Sequence, residues 1–106
     1  MTATVTYKSG YDTLLSHLVS RSSFGGIHRE LKNISALCLH LDNPHTSFNS
    51  IHITGTNGKS SVAAKVAHAL ELEGYTVGLF TSPHISSFRE RIMINGIMIP
   101  EDTVTT

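Results

Sequence analysis

The chain has 106 residues, enough for one small domain. Apolar residues make up 40% of it and there are eight glycines, an ordinary composition for a globular protein and not for a disordered one. Eight basic residues balance eight acidic ones, so the composition indicates neither a polyanion-binding tail nor a polybasic membrane patch. We therefore expect neither nucleic acid nor a membrane as a partner.

Cysteine usage and the N-terminus indicate the compartment. Cys38 is the single cysteine, so no intrachain disulfide can form. The apolar runs are too short to span a bilayer, and residues 1–4 lack the basic and apolar regions of a secretory signal. These features predict a cytoplasmic protein.

Two amphipathic helices are predicted within residues 1–49, a helical lead-in. Apolar residues recur at helical spacing in two stretches, first Tyr11, Leu14, Leu15, Leu18 and Val19, then Leu31, Ile34, Cys38 and Leu41. Gly25 and Gly26 separate the helices, because paired glycines lose too much entropy inside a helix. A competing interpretation takes residues 37–42 as an alternating strand that ends in a magnesium-binding Asp42.

Residues 50–81 predict a βαβ unit. The short, β-branched stretch 50–54 favours a strand, residues 55–58 a glycine turn, and the alanine-rich stretch 59–73 a helix. A second strand is predicted over 76–81. Strand, turn, helix and strand within about thirty residues are typical of a parallel pair with a right-handed crossover.

Residues 82–100 predict a loop followed by a β-hairpin. The stretches 88–94 and 97–100, which are apolar next to the turn, flank Asn95 and Gly96, a pair that suits a type I′ turn because both of its central residues need positive φ. Pro100 and the acidic residues after it predict the first turn of a helix. That helix is cut off at Thr106, so we expect the chain to be a fragment.

The glycine turn carries the signature of a phosphate-binding loop, formed by Thr54, Gly55, Thr56, Asn57, Gly58, Lys59, Ser60 and Ser61. Glycines let backbone N–H groups approach a phosphate, and the following helix directs its positive end towards it. The Lys59 ammonium can neutralise phosphate oxygens as a compact charge. The common P-loop has glycine where Ile53 stands, so this is a shorter form. An ordinary Asn-Gly turn before a helix is the alternative.

The motif resembles the phosphate loop of the Mur ligase superfamily. Thr81-Ser82-Pro83-His84 followed by Phe88-Arg89-Glu90-Arg91-Ile92 is similar to one branch of it, folylpolyglutamate synthase and the bifunctional dihydrofolate synthase. The resemblance implies an α/β fold of the Mur ligase central domain type, with a P-loop-containing, mostly parallel sheet and flanking helices, incomplete here and extended by the hairpin. It implies an ATP-dependent ligase that joins L-glutamate to a folate or dihydropteroate through an acyl phosphate.

The resemblance also implies residue roles. Residues 54–61 would bind ATP, with Lys59 as the catalytic cation, and Ser82 would ligate Mg²⁺. His84 and Arg89 would belong to a substrate loop over 82–91, and residues 24–27 match a pterin-binding region weakly. Which folate is the acceptor stays open.

Parts of the implied ligase are missing. The superfamily's other magnesium ligands, an acidic residue and a histidine, and its second domain would lie beyond Thr106, so we predict that this chain alone is inactive. Two alternatives stay open. One is another P-loop NTP-dependent enzyme, and the other is a non-catalytic nucleotide-binding or interaction module.

Overall fold

The computed structural model describes residues 9–24 and 31–106, and side chains throughout these ranges except over 21–24. The helices are α1 (Gly10–Phe24), α2 (Lys32–His40), α3 (Lys59–Leu72) and α4 (Glu101–Thr105), and the strands are β1 (Gly78–Phe80), β2 (Ile92–Ile94) and β3 (Ile97–Met98). Short 3₁₀ turns occupy Pro44–Thr46 and Phe88–Arg91. Within the described residues, no helix is both long and apolar enough to cross a membrane.

Both predicted lead-in helices are confirmed. The Ser9 hydroxyl caps α1 by accepting from the Asp12 amide at 3.1 Å and donating to the Asp12 carboxylate at 2.9 Å. Because α2 continues to His40, the competing strand over 37–42 is wrong. Asp42 follows the helix with a left-handed backbone instead of ending a strand. The predicted helix break and pterin-region match at Gly25, Gly26 and Ile27 lie outside the described residues.

The sheet differs from the predicted parallel one. β1 pairs antiparallel with β2, with Phe80 opposite Ile92, and β2 pairs antiparallel with β3. The predicted strand over 50–54 is wrong for the described residues, where this segment joins no ladder. A strand requires a paired neighbour. The only ladder recorded for β1 is the one it forms with β2, so the expected parallel pairing is absent from the described part of the chain.

The hairpin is confirmed, but it begins later than predicted. Asn95 and Gly96 have φ of 48° and 75°, the left-handed conformation that a type I′ turn requires. Residues 88–91 form a 3₁₀ turn instead of extending the strand. A capping box between Ser87 and Glu90 begins this turn. The Ser87 hydroxyl accepts from a backbone amide of the turn, and the Glu90 carboxylate accepts from the Ser87 amide.

The core of the described chain is small. Helix α1 packs on α4 and α3 packs on β1, but the only buried apolar residues within the described ranges are Tyr11, Ala67 and Ile99. The radius of gyration is 17.1 Å, against about 13 Å for a compact domain of about this length. Large apolar side chains therefore remain exposed on several elements, including Ile34 on α2, Phe80 on β1 and Ile97 on β3.

Candidate phosphate loop and the loop that follows the first strand

A glycine, Gly58, leaves the backbone of the turn before α3 uncrowded. Gly58 is the N-cap of α3 and has φ of 75° and ψ of 5°, a left-handed conformation that side chains disfavour. A Cβ atom built on Gly58 would meet no heavy atom within 4 Å. The backbone therefore presents a bare, accessible edge at the start of the helix, where a phosphate could approach closely.

Within the described residues, the first amides of α3 have no internal acceptor. The first backbone bond recorded at this end is the Val62 amide donating to the Gly58 carbonyl at 3.0 Å. In the described part of the chain no acceptor is recorded for the amides of Lys59, Ser60 and Ser61. The N-cap glycine has no side chain that could accept from them. An anion bound at this helix end would satisfy these donors and interact favourably with the helix dipole.

Lys59 folds back over the loop. Its Nζ atom donates to the Gly55 carbonyl oxygen at 2.6 Å and lies 3.5 Å from the Thr56 carbonyl oxygen. Both contacts are exposed to solvent. The ammonium group is therefore held directly above the glycine turn by neutral acceptors, which a phosphate oxygen would outcompete because charge-assisted bonds are stronger.

The remaining predicted loop residues are solvent-accessible. The side chains of Thr54, Asn57, Ser60 and Ser61 are exposed. Together with Gly55 and Gly58 they occupy the turn before α3 and the first turn of that helix. The structure thus brings all eight predicted phosphate-loop residues to one place by local geometry alone.

Ser82 lies one residue beyond Thr81, whose amide donates to the Arg91 carbonyl oxygen at 3.0 Å at the end of the β1–β2 pair. Its side chain is exposed, and its peptide bond to Pro83 is cis. Across residues 9–24 and 31–106, no group of three or more carboxylate, histidine or cysteine side chains has the arrangement of a metal site. Ser82 therefore supplies one oxygen and no carboxylate partner, whereas Mg²⁺ prefers several oxygen ligands.

Glu90 organises the loop after Ser82. Its Oε1 atom accepts from the amides of Ser86 at 3.0 Å and Ser87 at 2.8 Å and from the Ser86 hydroxyl at 2.8 Å, and Oε2 accepts from the Ile85 amide at 2.9 Å. These hydrogen bonds, led by the one from Ile85, lower the pKa of Glu90 from 4.5 to about 2. Sequence reasoning placed Glu90 beside the hairpin and missed this role. The spacing of Ser87 and Glu90 was the available signal.

His84, Phe88 and Arg91 form a side-chain cluster in the same loop. Arg91 Nε donates to His84 Nδ1 at 2.8 Å, and the Arg91 guanidinium carbon lies 5.4 Å from the centre of the Phe88 ring. The His84 and Phe88 rings meet edge to face at 5.9 Å. Two contacts thus orient the half-buried Arg91 guanidinium, whose Nη atoms have no acceptor within the described residues.

Arg89 has a different environment. One Nη atom donates to the Ile99 carbonyl oxygen at 3.4 Å, and its Nε atom is buried without a partner in the described part of the chain. Arg89 and Arg91 both lie in the 3₁₀ turn and not in a strand. Of the two predicted substrate-loop residues, His84 therefore contacts Arg91, whereas Arg89 contacts the carbonyl of Ile99.

Comparison with known proteins finds homologues of this chain. The chain is 48% identical over 86 residues to the folylpolyglutamate synthase of Lacticaseibacillus casei, covering 80% of this chain and 19% of that protein. It is 38% identical over 97 residues to the dihydrofolate synthase/folylpolyglutamate synthase of Bacillus subtilis, covering 92% and 22%. The chain is a homologue of the folylpolyglutamate and dihydrofolate synthases. This confirms the resemblance that the motifs indicated.

Solved structures of folylpolyglutamate synthases agree. The Lactobacillus casei folylpolyglutamate synthetase superposes with a TM-score of 0.79 at 41% identity, covering 89% of this chain and 23% of that one. The Thermotoga maritima folylpolyglutamate synthase gives 0.73 at 43%, covering 88% and 22%. No family model matches the chain. The chain spans about a fifth of the length of these folylpolyglutamate synthases.

Proposed function

We propose that this chain is the phosphate-binding part of an ATP-dependent ligase that adds L-glutamate to a folate or dihydropteroate. The single observation that carries the proposal is its homology with folylpolyglutamate and dihydrofolate synthases over most of its length. The N-terminus of α3 at Gly58 also supports the proposal, because its uncrowded backbone suits the binding of a phosphate.

ATP would be held by the backbone of the phosphate loop. The free amides of Lys59, Ser60 and Ser61 would donate to phosphate oxygens. The Lys59 ammonium would exchange the Gly55 carbonyl for a phosphate oxygen. The chemistry that ATP supplies is a phosphoryl group, which activates a substrate carboxylate for attack by the glutamate amine. The part of these residues is to bind, orient and neutralise the phosphates.

Magnesium would be held only in part by this chain. Ser82 would provide a hydroxyl ligand, but the described residues contain no group of three or more carboxylate, histidine or cysteine side chains that could complete a Mg²⁺ site. The complete reaction therefore needs ligands from outside these residues, and we propose that the 106-residue chain by itself binds nucleotide without ligating glutamate. We further propose that the ligase acts in the cytoplasm.

The absence of a complete metal site from the described residues is compatible with a second candidate. A nucleotide-binding module without catalysis needs the helix end and Lys59 but no complete metal site. The two candidates share the first step, nucleotide binding, and differ only in whether glutamate ligation comes after it. A test of nucleotide binding therefore comes first.

Lys59→Ala should weaken the binding of a non-hydrolysable ATP analogue with Mg²⁺ at least about tenfold, because a charge-assisted contact to phosphate is lost. Isothermal titration calorimetry of the 106-residue chain measures this. Lys65→Ala is the matched control, since Lys65 is also an exposed lysine of α3 but lies more than one turn from the loop. Equal losses in both variants, or no binding by the unmodified chain, would contradict the proposal.

A further inference from the structure

Glu90 and Arg91 are neighbours in sequence with opposite charges, yet they form no ion pair within the described chain. Both Glu90 oxygens are occupied by the amides of Ile85, Ser86 and Ser87 and by the Ser86 hydroxyl. Arg91 instead uses Nε on a neutral acceptor, His84 Nδ1. The carboxylate is thereby turned into the loop and away from the adjacent guanidinium.

Arg91 is consequently a half-buried cation without a counter-ion. No carboxylate lies within ion-pairing distance of it in the described part of the chain. Its Nη atoms have no hydrogen-bond acceptor within the described residues and are not completely buried. A guanidinium oriented by Phe88 and His84, with its forked edge open, matches the two oxygens of a carboxylate or a phosphoryl group.

We propose that Glu90 is the positioning residue of the 82–91 loop: by accepting the amides of residues 85–87 it fixes the turn that joins His84 to Arg91 and keeps the Arg91 guanidinium free for an oxyanion. That the oxyanion is a carboxylate or phosphoryl group of the ligase reaction rests on the proposed function. The arrangement of Glu90 does not.

The surroundings of Glu90 support this role. The charged or titratable groups near it are Arg89 and Arg91 on its own turn and His84 in the loop. Strands β2 and β3, which contact this turn, carry no titratable side chain. Within the described residues, no ion pair joins Glu90 or Arg91 to another charged side chain.

Glu90→Gln separates positioning from simple electrostatics, because the two predict opposite signs. If Glu90 acted only as a nearby negative charge, its removal would strengthen anion binding at Arg91. As a positioning residue, its removal leaves one carbonyl oxygen to replace two carboxylate oxygens and adds an amide donor facing the loop amides. We expect the affinity of Arg91 for glutarate and for inorganic phosphate to fall about tenfold.

The measurement is nuclear magnetic resonance of the Arg91 Nε–H group in the 106-residue chain, titrated separately with glutarate and with inorganic phosphate. A stronger response to glutarate assigns the site to a carboxylate, and a stronger response to phosphate assigns it to a phosphoryl group. Glu73→Gln is the matched control, since Glu73 is an exposed carboxylate at the end of α3. Glu90→Asp, which retains two acceptor oxygens, should recover part of the lost affinity.

Unchanged or tighter binding in Glu90→Gln would overturn the proposal, as would an Arg91 signal that responds to neither anion. Lys59→Ala distinguishes failure of the proposal about Glu90 from failure of the proposed function. It should weaken the binding of the ATP analogue at least about tenfold and leave the Arg91 response to glutarate intact. Absence of nucleotide binding with an intact Arg91 response would reject the phosphate loop and retain the role of Glu90.

Discussion

The loop before α3 and the loop after β1 differ in whether their backbone amides have hydrogen-bond acceptors within the described chain. Before α3, the amides of Lys59, Ser60 and Ser61 have no internal acceptor in the described chain, and the N-cap is a glycine with no side chain to offer one. After β1, the amides of residues 85–87 all donate to Glu90. A loop that leaves donors open is suited to bind an anion, whereas a loop that satisfies its own donors is suited to hold side chains in place.

The largest expected effect is a loss of stability when Ile99, which supports the loop after β1, is truncated. Ile99 is one of three buried apolar residues in the described ranges; its amide bonds to the Ile92 carbonyl and its carbonyl accepts from Arg89. Ile99→Ala should lower the free energy of unfolding by about 2–4 kcal/mol, because it leaves a cavity. Urea denaturation followed by circular dichroism measures this loss.

Ile85→Ala is the control for that comparison. Its side chain is 96% exposed at the tip of the same loop, so its truncation should change the free energy of unfolding by less than about 0.5 kcal/mol. Similar losses in the two variants would show that Ile99 does not support the loop through its packing.

An intermediate effect is expected at the first loop. Gly58→Ala should cost about 1–2 kcal/mol of stability, because alanine is disfavoured in the left-handed conformation even where space is open. Gly78→Ala is the control: Gly78 is also uncrowded but has no positive φ, so its substitution should be nearly neutral. Thermal unfolding of both variants compares them, and a neutral Gly58→Ala would mean that the loop is not held in this conformation.

The smallest effect is local and depends on pH. The pKa of Glu90 is lowered in the folded chain from 4.5 to about 2, so its contribution to stability is complete above pH 4.5 and disappears as the pH falls through about 2. The amide proton shifts of residues 85–87 should therefore titrate with a midpoint near 2. A midpoint near the ordinary glutamate value would show that the carboxylate does not hold these amides.

Local signals predicted several elements correctly. Helical spacing predicted α1 and α2, and the glycine turn before an alanine-rich stretch predicted the start of α3 at Lys59. Asn95 and Gly96 predicted the hairpin turn. In each case the conformation follows from residues within one or two turns of each other, so sequence reasoning had all the information it needed.

Pairings between distant residues were not predictable in the same way. The segment 50–54 has the composition of a strand and still joins no ladder within the described residues, because composition does not supply a partner. The contact of Arg91 with His84 spans seven residues and depends on the 3₁₀ turn that Glu90 and Ser87 begin. Reading the stretch 88–94 as one strand concealed that turn.

The amino-acid sequence by itself determined the helices, the glycine turn that leads into α3 at Lys59 and the homology with folylpolyglutamate and dihydrofolate synthases, because these depend on short-range patterns and on sequence identity. Only the tertiary structure decided that β1 pairs antiparallel with β2 and that Glu90 turns away from Arg91. The physical reason is that the Glu90 carboxylate accepts from the backbone amides that lie close to it, and these amides lie close to it only once the loop has folded.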